Sequence, residues 1–273
     1  MSWILEANGA DANDEARSLG TTVYVAACLM LGAVELALGK PLPELHPWGD
    51  GVAARFVSGA TLVLFAAAAF ARPLKEYGAL GLALHWAAAF AATSYAALET
   101  PWNWAVWVPA TKTAIFMLMP LSIMKGDTSP SRFPIPHLLL RIVVGLTFAF
   151  YGLFHLFQGP MIAALIPAWI PQAELLPWLT GALLLIAGTG VATGVAVREC
   201  SLAVAALFAS WIPLLHVERI ARQPLSSFEW TFALSALALA GVSLSLFEWC
   251  RSRRTDRLTC FEFELESSPA KQA

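Results

Sequence analysis

The chain has 273 residues, of which 58% are hydrophobic and 13% are charged, whereas soluble globular domains carry about 25% charged residues. A mean hydropathy of +0.64 and a formal net charge of −2 exclude an ordinary soluble domain and leave no basic face for nucleic acid. We therefore predict an all-α, polytopic membrane protein with the lipid bilayer as its surroundings and no nucleic-acid partner.

Eight apolar segments of about 16 to 23 residues follow a polar, acidic N-terminal tail at 1–20. Each has the length that a tilted helix needs to cross a bilayer. The predicted transmembrane helices are 21–38, 54–71, 78–98, 104–124, 138–157, 175–197, 201–216 and 228–249. A charged C-terminal tail, 250–273, follows the last of them.

The two halves of the chain align with each other. Gly32, Gly39 and Pro47 align with Gly152, Gly159 and Pro167 at an offset of 120, and Ser58-Gly59-Ala60 aligns with Thr180-Gly181-Ala182 at an offset of 122. With small gaps, Trp86 falls on Trp211 and Pro101 falls on Pro224. The pattern predicts two tandem four-helix bundles, 21–125 and 137–249, joined by a polar linker at 126–136 and related by an approximate two-fold axis along the membrane normal. Chance alignment of Gly- and Ala-rich helices is the alternative.

The basic residues outside the spans predict the orientation. Eleven lie on the side of the termini, and four, Lys40, Arg55, Arg219 and Arg222, lie on the other. Under the positive-inside rule both termini are cytoplasmic. The two proline- and tryptophan-containing loops, around Pro47 and Pro167, then face outward.

Ionisable residues inside apolar spans require a reason, because each costs roughly 2.5 to 3.5 kcal/mol at a helix centre. Glu35 and Lys112 are expected at similar depth in the first bundle, so a buried ion pair is the simplest way to satisfy both. Its role is either structural or proton-handling. Arg141 and His155 occupy the first span of the second bundle, and Glu35 aligns with His155.

A candidate site is predicted at the outer mouth of the second bundle. His155 and His216 end two spans that run in the same direction, and Glu218, Arg219 and Arg222 follow His216 directly. Trp169 is expected to lie over this cluster, with Arg141 supporting the same helix from below. An imidazole titrates near neutral pH and can accept a proton, so His155, His216 and Glu218 are the catalytic candidates and Arg141, Trp169 and His155 the ligand-binding candidates. Interfacial side chains bonded to loop carbonyls are the alternative.

Several common sites are missing from the sequence. It contains no C-x-x-C-H, P-loop or G-x-S-x-G motif, which removes covalent haem, nucleotide and serine-hydrolase interpretations based on those motifs. The four cysteines have no metal-binding spacing. We predict no metal site and no cofactor bound through such a motif.

The second half resembles the DoxX family of small bacterial membrane proteins. The resemblance rests on Arg141, the G-x-x-H motif from Gly152 to His155, the Ile166-Pro167-Ala168-Trp169-Ile170-Pro171 loop and Thr180-Gly181. Many members have a Glu after the T/S-G, where this chain has Ala182-Leu183-Leu184. The resemblance implies a four-helix membrane fold in the inner membrane of a bacterium, and some relatives are subunits of quinone-linked redox complexes.

Three functions are therefore carried forward. The first is a DoxX-like membrane subunit, quinone-linked and redox-associated, that has a quinone site between its helices and works with a partner protein carrying the electron donor. The second is a non-catalytic structural or assembly subunit of a larger membrane complex. The third is a carrier for a small molecule, since parallel repeats can surround a site at the membrane midplane.

Overall fold

A computed structural model describes residues 18–42, 51–124 and 135–266, the side chains of 52, 135–137 and 251–266 excepted. The predicted N-terminal tail up to residue 17, Pro47 and linker residues 126–134 lie outside this part. The described residues form helices and connecting turns, with no strand among them. The long helices are α1 (Leu19–Leu38), α2 (Val52–Phe70), α3 (Lys75–Glu99), α4 (Trp107–Ile123), α5 (Ile135–Phe157), α7 (Leu176–Thr193), α8 (Val197–Trp211) and α10 (Ser227–Glu266), and the short ones are α6 (Gly159–Ala163) and α9 (Val217–Arg222).

Seven stretches of the described chain are long and apolar enough to cross a membrane, which indicates a multi-pass membrane protein. The predicted span at 78–98 corresponds to α3, which is not among the seven. This helix is 25 residues long, but it begins with Lys75 and Glu76, ends at Glu99 and carries His85. Its length suits a crossing, and its polar residues lower its hydropathy.

Two predicted boundaries differ from the structure. The span predicted at 201–216 is the middle of a longer helical stretch, Val197–Arg222, in which α8 passes through a π-helical turn, Ile212–His216, into α9. The last span, predicted to end at 249, continues as helix to Glu266. Periodicity and apolarity mark the membrane-crossing part of a helix, and neither marks where a helix extends beyond it.

The long helices of the described part of the chain form a closed ring of contacts. Each contacts the next, α1 to α5 in sequence, then α7, α8 and α10, and α10 returns to α1. The contact between α1 and α10 is much more extensive than the one between α4 and α5. Aromatic side chains fill the interior of the ring: the Tyr24 hydroxyl on α1 donates to the Phe116 carbonyl on α4 at 2.8 Å, and Phe148 on α5 packs against Phe208 on α8.

Glycines let two helix pairs approach until their backbones touch, as is common where lipid supplies no hydrophobic drive for association. A Cβ added at Gly188 of α7 would lie 2.6 Å from the Gly145 carbonyl oxygen of α5 and would overlap the Ala149 nitrogen. A Cβ at Gly20 of α1 would lie 2.6 Å from the Gly241 carbonyl oxygen of α10. Both helix pairs, α5 with α7 and α1 with α10, can therefore approach this closely only because glycine has no side chain.

The first helix pair of each half is packed through the same glycine contact. A Cβ added at Gly32 of α1 would lie 2.7 Å from the Gly59 carbonyl oxygen of α2. A Cβ added at Gly152 of α5 would lie 2.7 Å from the Gly181 carbonyl oxygen of α7. The leucine side chains that cover Gly59 and Gly181 correspond as well: Leu36 and Leu156. These are the glycines that the internal alignment pairs.

The N-terminus of α1 is capped by the last helix. The two carboxylate oxygens of Glu248 on α10 each accept one backbone N–H, from Leu19 and from Gly20, at 3.1 Å. Ser18 caps the same turn by accepting from the Thr21 nitrogen. A carboxylate suits this place because the first N–H groups of a helix lack intrahelical partners and carry partial positive charge.

We expect Glu248→Ala to destabilise the protein by about 1 to 2 kcal/mol, because it removes two charge-assisted hydrogen bonds that join α10 to α1. Unfolding in mixed micelles with a rising fraction of denaturing detergent, followed by tryptophan fluorescence, measures the loss. Glu199→Ala is the matched control, since its carboxylate is exposed and lies 4.0 Å from Arg198. Equal stability of the two variants would contradict the capping role.

Candidate functional site

The loop that follows α5 is broken by prolines. Pro160 opens α6, where a missing N–H costs nothing, and Pro167 ends the helical turns that follow α6. A turn closes over Pro167, whose carbonyl accepts from the Ile170 nitrogen at 3.0 Å. The segment 164–169, here called the IPAW loop, consequently folds back at one end of α5 and α7 and leaves the indole of Trp169 more than half exposed.

The opposing wall comes from the end of α8. Pro213 stands at the second position of the π-helical turn, where it cannot donate a backbone hydrogen bond. Single π-helical turns are frequent at functional sites. The turn buries His216, and α9 then presents Glu218, Arg219 and Arg222 toward the IPAW loop.

Arg219 joins three elements. Its Nη2 donates to one carboxylate oxygen of Glu229 on α10 at 2.8 Å, and its Nε lies 2.7 Å from the other oxygen in the same ion pair. Its Nη1 donates to the Leu165 carbonyl oxygen of the IPAW loop at 3.2 Å. A hydrogen bond between a guanidinium and a carboxylate is stronger than one between neutral groups. Arg219 therefore fixes α9 to both the loop and the last span.

Glu218 joins the loop to the other arginine. One of its carboxylate oxygens accepts from the Trp169 Nε1 at 2.5 Å, and the other is bonded to Arg222 one turn later on α9. The Glu218 side chain is 25% exposed, and that of Arg222 is 73% exposed. The carboxylate is thus held at the edge of the protein between two donors.

A cavity of about 300 Å³ lies between these walls. Residues 164–168 of the IPAW loop line one side, and Glu218, Arg219, Arg222, Gln223 and Glu229 line the other. Its polar groups are two carboxylates, two guanidinium groups and one amide. Such a cavity can hold a small headgroup that carries hydroxyl or carbonyl oxygens.

Of the residues predicted for this site, the structure brings Trp169 and Glu218 together and leaves both histidines outside the cavity lining. The His155 ring stacks on Trp211 of α8 with centroids 5.8 Å apart, and its Nδ1 is 2.8 Å from the Tyr151 carbonyl oxygen of its own helix. His216 is buried, and its Nδ1 has no hydrogen-bond partner among the described residues.

Arg141 lies at the other end of α5. A Cβ added at Gly194, the residue that ends α7, would lie 3.3 Å from its Cζ. A cation suits the end of a helix, where unpaired carbonyls carry partial negative charge. The structure therefore separates Arg141 from the cavity by the length of α5.

Glu35 and Lys112 are both buried in the first half, 2% and 4% exposed. Glu35 accepts a hydrogen bond from the Ser58 hydroxyl at 2.8 Å. The Lys112 Nζ lies 5.5 Å from the centroid of the Phe232 ring. Their pairing with each other stays a prediction.

Sequence reasoning missed Glu229, the buried carboxylate that holds Arg219. The available signal was an acidic residue in the first turn of an otherwise apolar span, ten positions after an arginine. An ionisable residue at that place requires a partner.

No known protein family, curated protein or solved structure matches this chain. The DoxX resemblance therefore has no support beyond the residues that suggested it. The site must be interpreted from its own geometry.

Proposed function

We propose that the chain is a membrane-embedded subunit that binds a ligand together with a partner protein, and that its cavity binds the headgroup of a quinol. The observation that carries the proposal is the position of Glu218, a half-buried carboxylate at the wall of a 300 Å³ cavity where the helices end. Lipid-soluble molecules with polar headgroups reach such a position from the bilayer.

The chemistry of Glu218 suits a hydroxyl donor. A carboxylate offers about four acceptor positions, and Trp169 and Arg222 use two of them. A quinol hydroxyl can occupy a third and transfer its proton there as electrons leave. The sequence holds no motif for a redox cofactor, so in this proposal a partner protein accepts the electrons.

The same proposal includes the architecture of eight crossings in two tandem four-helix bundles. It is supported by the shared glycine contacts, and by two tryptophans that donate to corresponding carbonyls, Trp107 to Pro101 at 3.1 Å and Trp230 to Pro224 at 2.9 Å. Both contacts that a two-fold relation between the bundles makes equivalent, α4 with α5 and α10 with α1, are present, and the second is much more extensive than the first. In this arrangement α3 is the eighth crossing.

The orientation belongs to the proposal as well. With both termini in the cytoplasm of a bacterial inner membrane, the cavity opens on the outer side, as the distribution of basic residues predicts. Cysteine labelling of intact cells tests the orientation, since a cysteine placed at Gln223 should react with an impermeant reagent and one at Arg198 should not.

A structural or assembly subunit is the second candidate, and one observation favours it. The charged groups that line the cavity are paired with one another, Arg219 with Glu229 and Arg222 with Glu218. Such pairs can hold the IPAW loop in place for contact with a neighbouring protein. In that function the cavity needs no ligand.

Titration calorimetry distinguishes the quinol-binding function from the structural one. It measures, without oxygen, the binding of a short-chain quinol to the full chain in lipid nanodiscs. The proposal expects saturable quinol binding that Glu218→Gln weakens about tenfold, the effect of roughly 1.4 kcal/mol for one hydrogen bond to a charged group. Binding of the oxidised quinone, which has no hydroxyl to donate, should change little. Arg198→Gln, at the opposite end of α8, is the control and should bind as the unaltered protein does. Absence of saturable binding, or an equal affinity of the Glu218 variant for quinol, would support the structural subunit.

A further inference from the structure

Arg141 is a charged residue in a membrane-crossing helix, and its guanidinium has no partner in the described part of the chain. It lies within the apolar stretch Leu138–Phe157 of α5. Its Nε is buried and makes no hydrogen bond with a described residue, and the guanidinium forms no ion pair with one. A guanidinium has five N–H donors and a fixed charge, so in this place it needs an acceptor that carries negative charge.

The chain holds the guanidinium where α7 ends and α8 begins. Gly194 ends α7 with φ 88°, and a Cβ there would lie 2.5 Å from Nη1 of Arg141. Glycine at this position therefore permits both the left-handed turn and the close approach of the guanidinium. The last carbonyls of α7 attract a cation, but none that the structure describes accepts a hydrogen bond from Arg141.

The start of α8 also needs an anion. Three residues after Gly194, α8 begins at Val197 behind Ala196, which supplies no side-chain cap. The first N–H groups of a helix lack intrahelical partners and carry partial positive charge. Arg198 adds a full charge, and its buried Nε has no hydrogen bond to a described residue either. Positive groups from α5 and α8 thus gather around the turn between α7 and α8.

The chain satisfies a neighbouring helix start with a carboxylate. Arg198 lies over the ring of Phe247 on α10, and the next residue, Glu248, accepts from the first N–H groups of α1. At the start of α8 the one described acid is Glu199, which lies 4.0 Å from Arg198 with its side chain 68% exposed. Water screens so exposed a pair. An anion from outside the described chain would therefore do for α8 and Arg141 what Glu248 does for α1.

We propose that Arg141 and the start of α8 bind a phosphate group, and that the headgroup of an anionic phospholipid supplies it. Phosphate oxygens are what a guanidinium and the N–H groups of a helix start both bind. Arg141 lies three residues inside the membrane-crossing stretch, about 5 Å by the helix rise, where headgroups meet the hydrocarbon. Four more arginines, at 251, 253, 254 and 257, follow the crossing of α10 in the sequence and favour anionic lipid at this end.

Native mass spectrometry of the full chain in a neutral detergent tests the proposal. The unaltered chain should retain phosphatidylglycerol with a saturable affinity that Arg141→Gln weakens about tenfold, the effect of one hydrogen bond to a charged group. Arg72→Gln, which removes an exposed cation from the turn between α2 and α3, is the matched control and should leave the affinity unchanged. Equal affinities of the two variants, or equal retention of diacylglycerol, which has no phosphate, would overturn the proposal.

Inorganic phosphate, added to the same sample, identifies the source of the phosphate group. Phosphatidylglycerol should stay bound to the unaltered chain at millimolar phosphate, because the acyl chains add to the affinity of the lipid. Release of the lipid in that range would overturn the lipid as the source, and the site would then be one for soluble phosphate.

Crosslinking to the unaltered chain tests the same site without any variant. Phosphatidylglycerol with a diazirine in its headgroup is added to nanodiscs of phosphatidylcholine, and the label is mapped by mass spectrometry. We expect label on residues 194–199 that unlabelled phosphatidylglycerol displaces. Label spread equally over 72–75 and 194–199 would contradict a specific site. The site lies at the opposite end of α5 from the cavity, so these outcomes are independent of quinol binding.

Discussion

Replacing Gly188 by alanine should destabilise the protein by about 3 kcal/mol, since overpacking a tight contact costs 1 to 3 kcal/mol and occasionally more. The added methyl group would meet only backbone atoms of α5: the Gly145 carbonyl oxygen at 2.6 Å, the Phe148 carbonyl carbon at 2.8 Å and the Ala149 nitrogen. No rotamer change can move these atoms. The two helices must separate along their most extensive contact, and van der Waals packing is lost there. Unfolding in mixed micelles measures the difference.

Gly51→Ala is the matched control for this prediction. Gly51 precedes α2 with φ −67°, and no heavy atom of the described residues lies within 4 Å of an added Cβ. Its replacement should change the free energy of unfolding by less than about 0.5 kcal/mol, as for a surface position. If the Gly188 and Gly51 variants have the same free energy of unfolding, α5 and α7 do not approach each other as closely as described.

The second large effect is expected at Arg219. Leucine at this position would leave the Glu229 carboxylate, 9% exposed, without the guanidinium that it pairs with. Removing one partner of a buried pair costs about 3 to 5 kcal/mol, so we expect a loss near the lower end because Arg219 is itself 21% exposed. The double variant Arg219→Leu with Glu229→Leu should recover at least half of the loss, since no unpaired charge is then buried.

Arg222→Leu is the control for the Arg219 prediction. Its side chain is 73% exposed and its bond to Glu218 lies at the surface, so its replacement should cost less than about 1 kcal/mol. A double variant whose loss equals the sum of the two single losses would mean that Arg219 and Glu229 do not stabilise each other.

Much of the helical layout follows from the sequence alone, because apolar length is what a membrane demands of a helix. The internal alignment paired Gly32 with Gly152 and Gly59 with Gly181, and in the structure these glycines lie where helix backbones meet. Glu218 and Trp169 were placed together from their proline-bounded loop and from span direction, and the structure joins them by a hydrogen bond.

The parts that sequence could not supply depend on the rotation of each helix about its own axis and on where it ends. His155 was expected to form part of the site, but its ring stacks on Trp211 of α8. The π-helical turn at Ile212–His216 shifts the register of every residue after it, which brings Glu218 and Arg219 to the cavity and buries His216. Periodicity counts residues at one fixed angle, so it cannot anticipate such a turn.

Photoaffinity labelling with a quinone that carries an azide on its ring tests the central claim most directly. The full chain in nanodiscs is labelled, digested and mapped by mass spectrometry, with excess unlabelled quinol as competitor. The proposed function predicts competed label on residues 164–169 and on 218–223, and about tenfold weaker binding of the reduced probe at both segments in Glu218→Gln. Label spread over the lipid-facing helices, unaffected by competitor and by the Glu218 variant, would contradict a quinol site in this cavity.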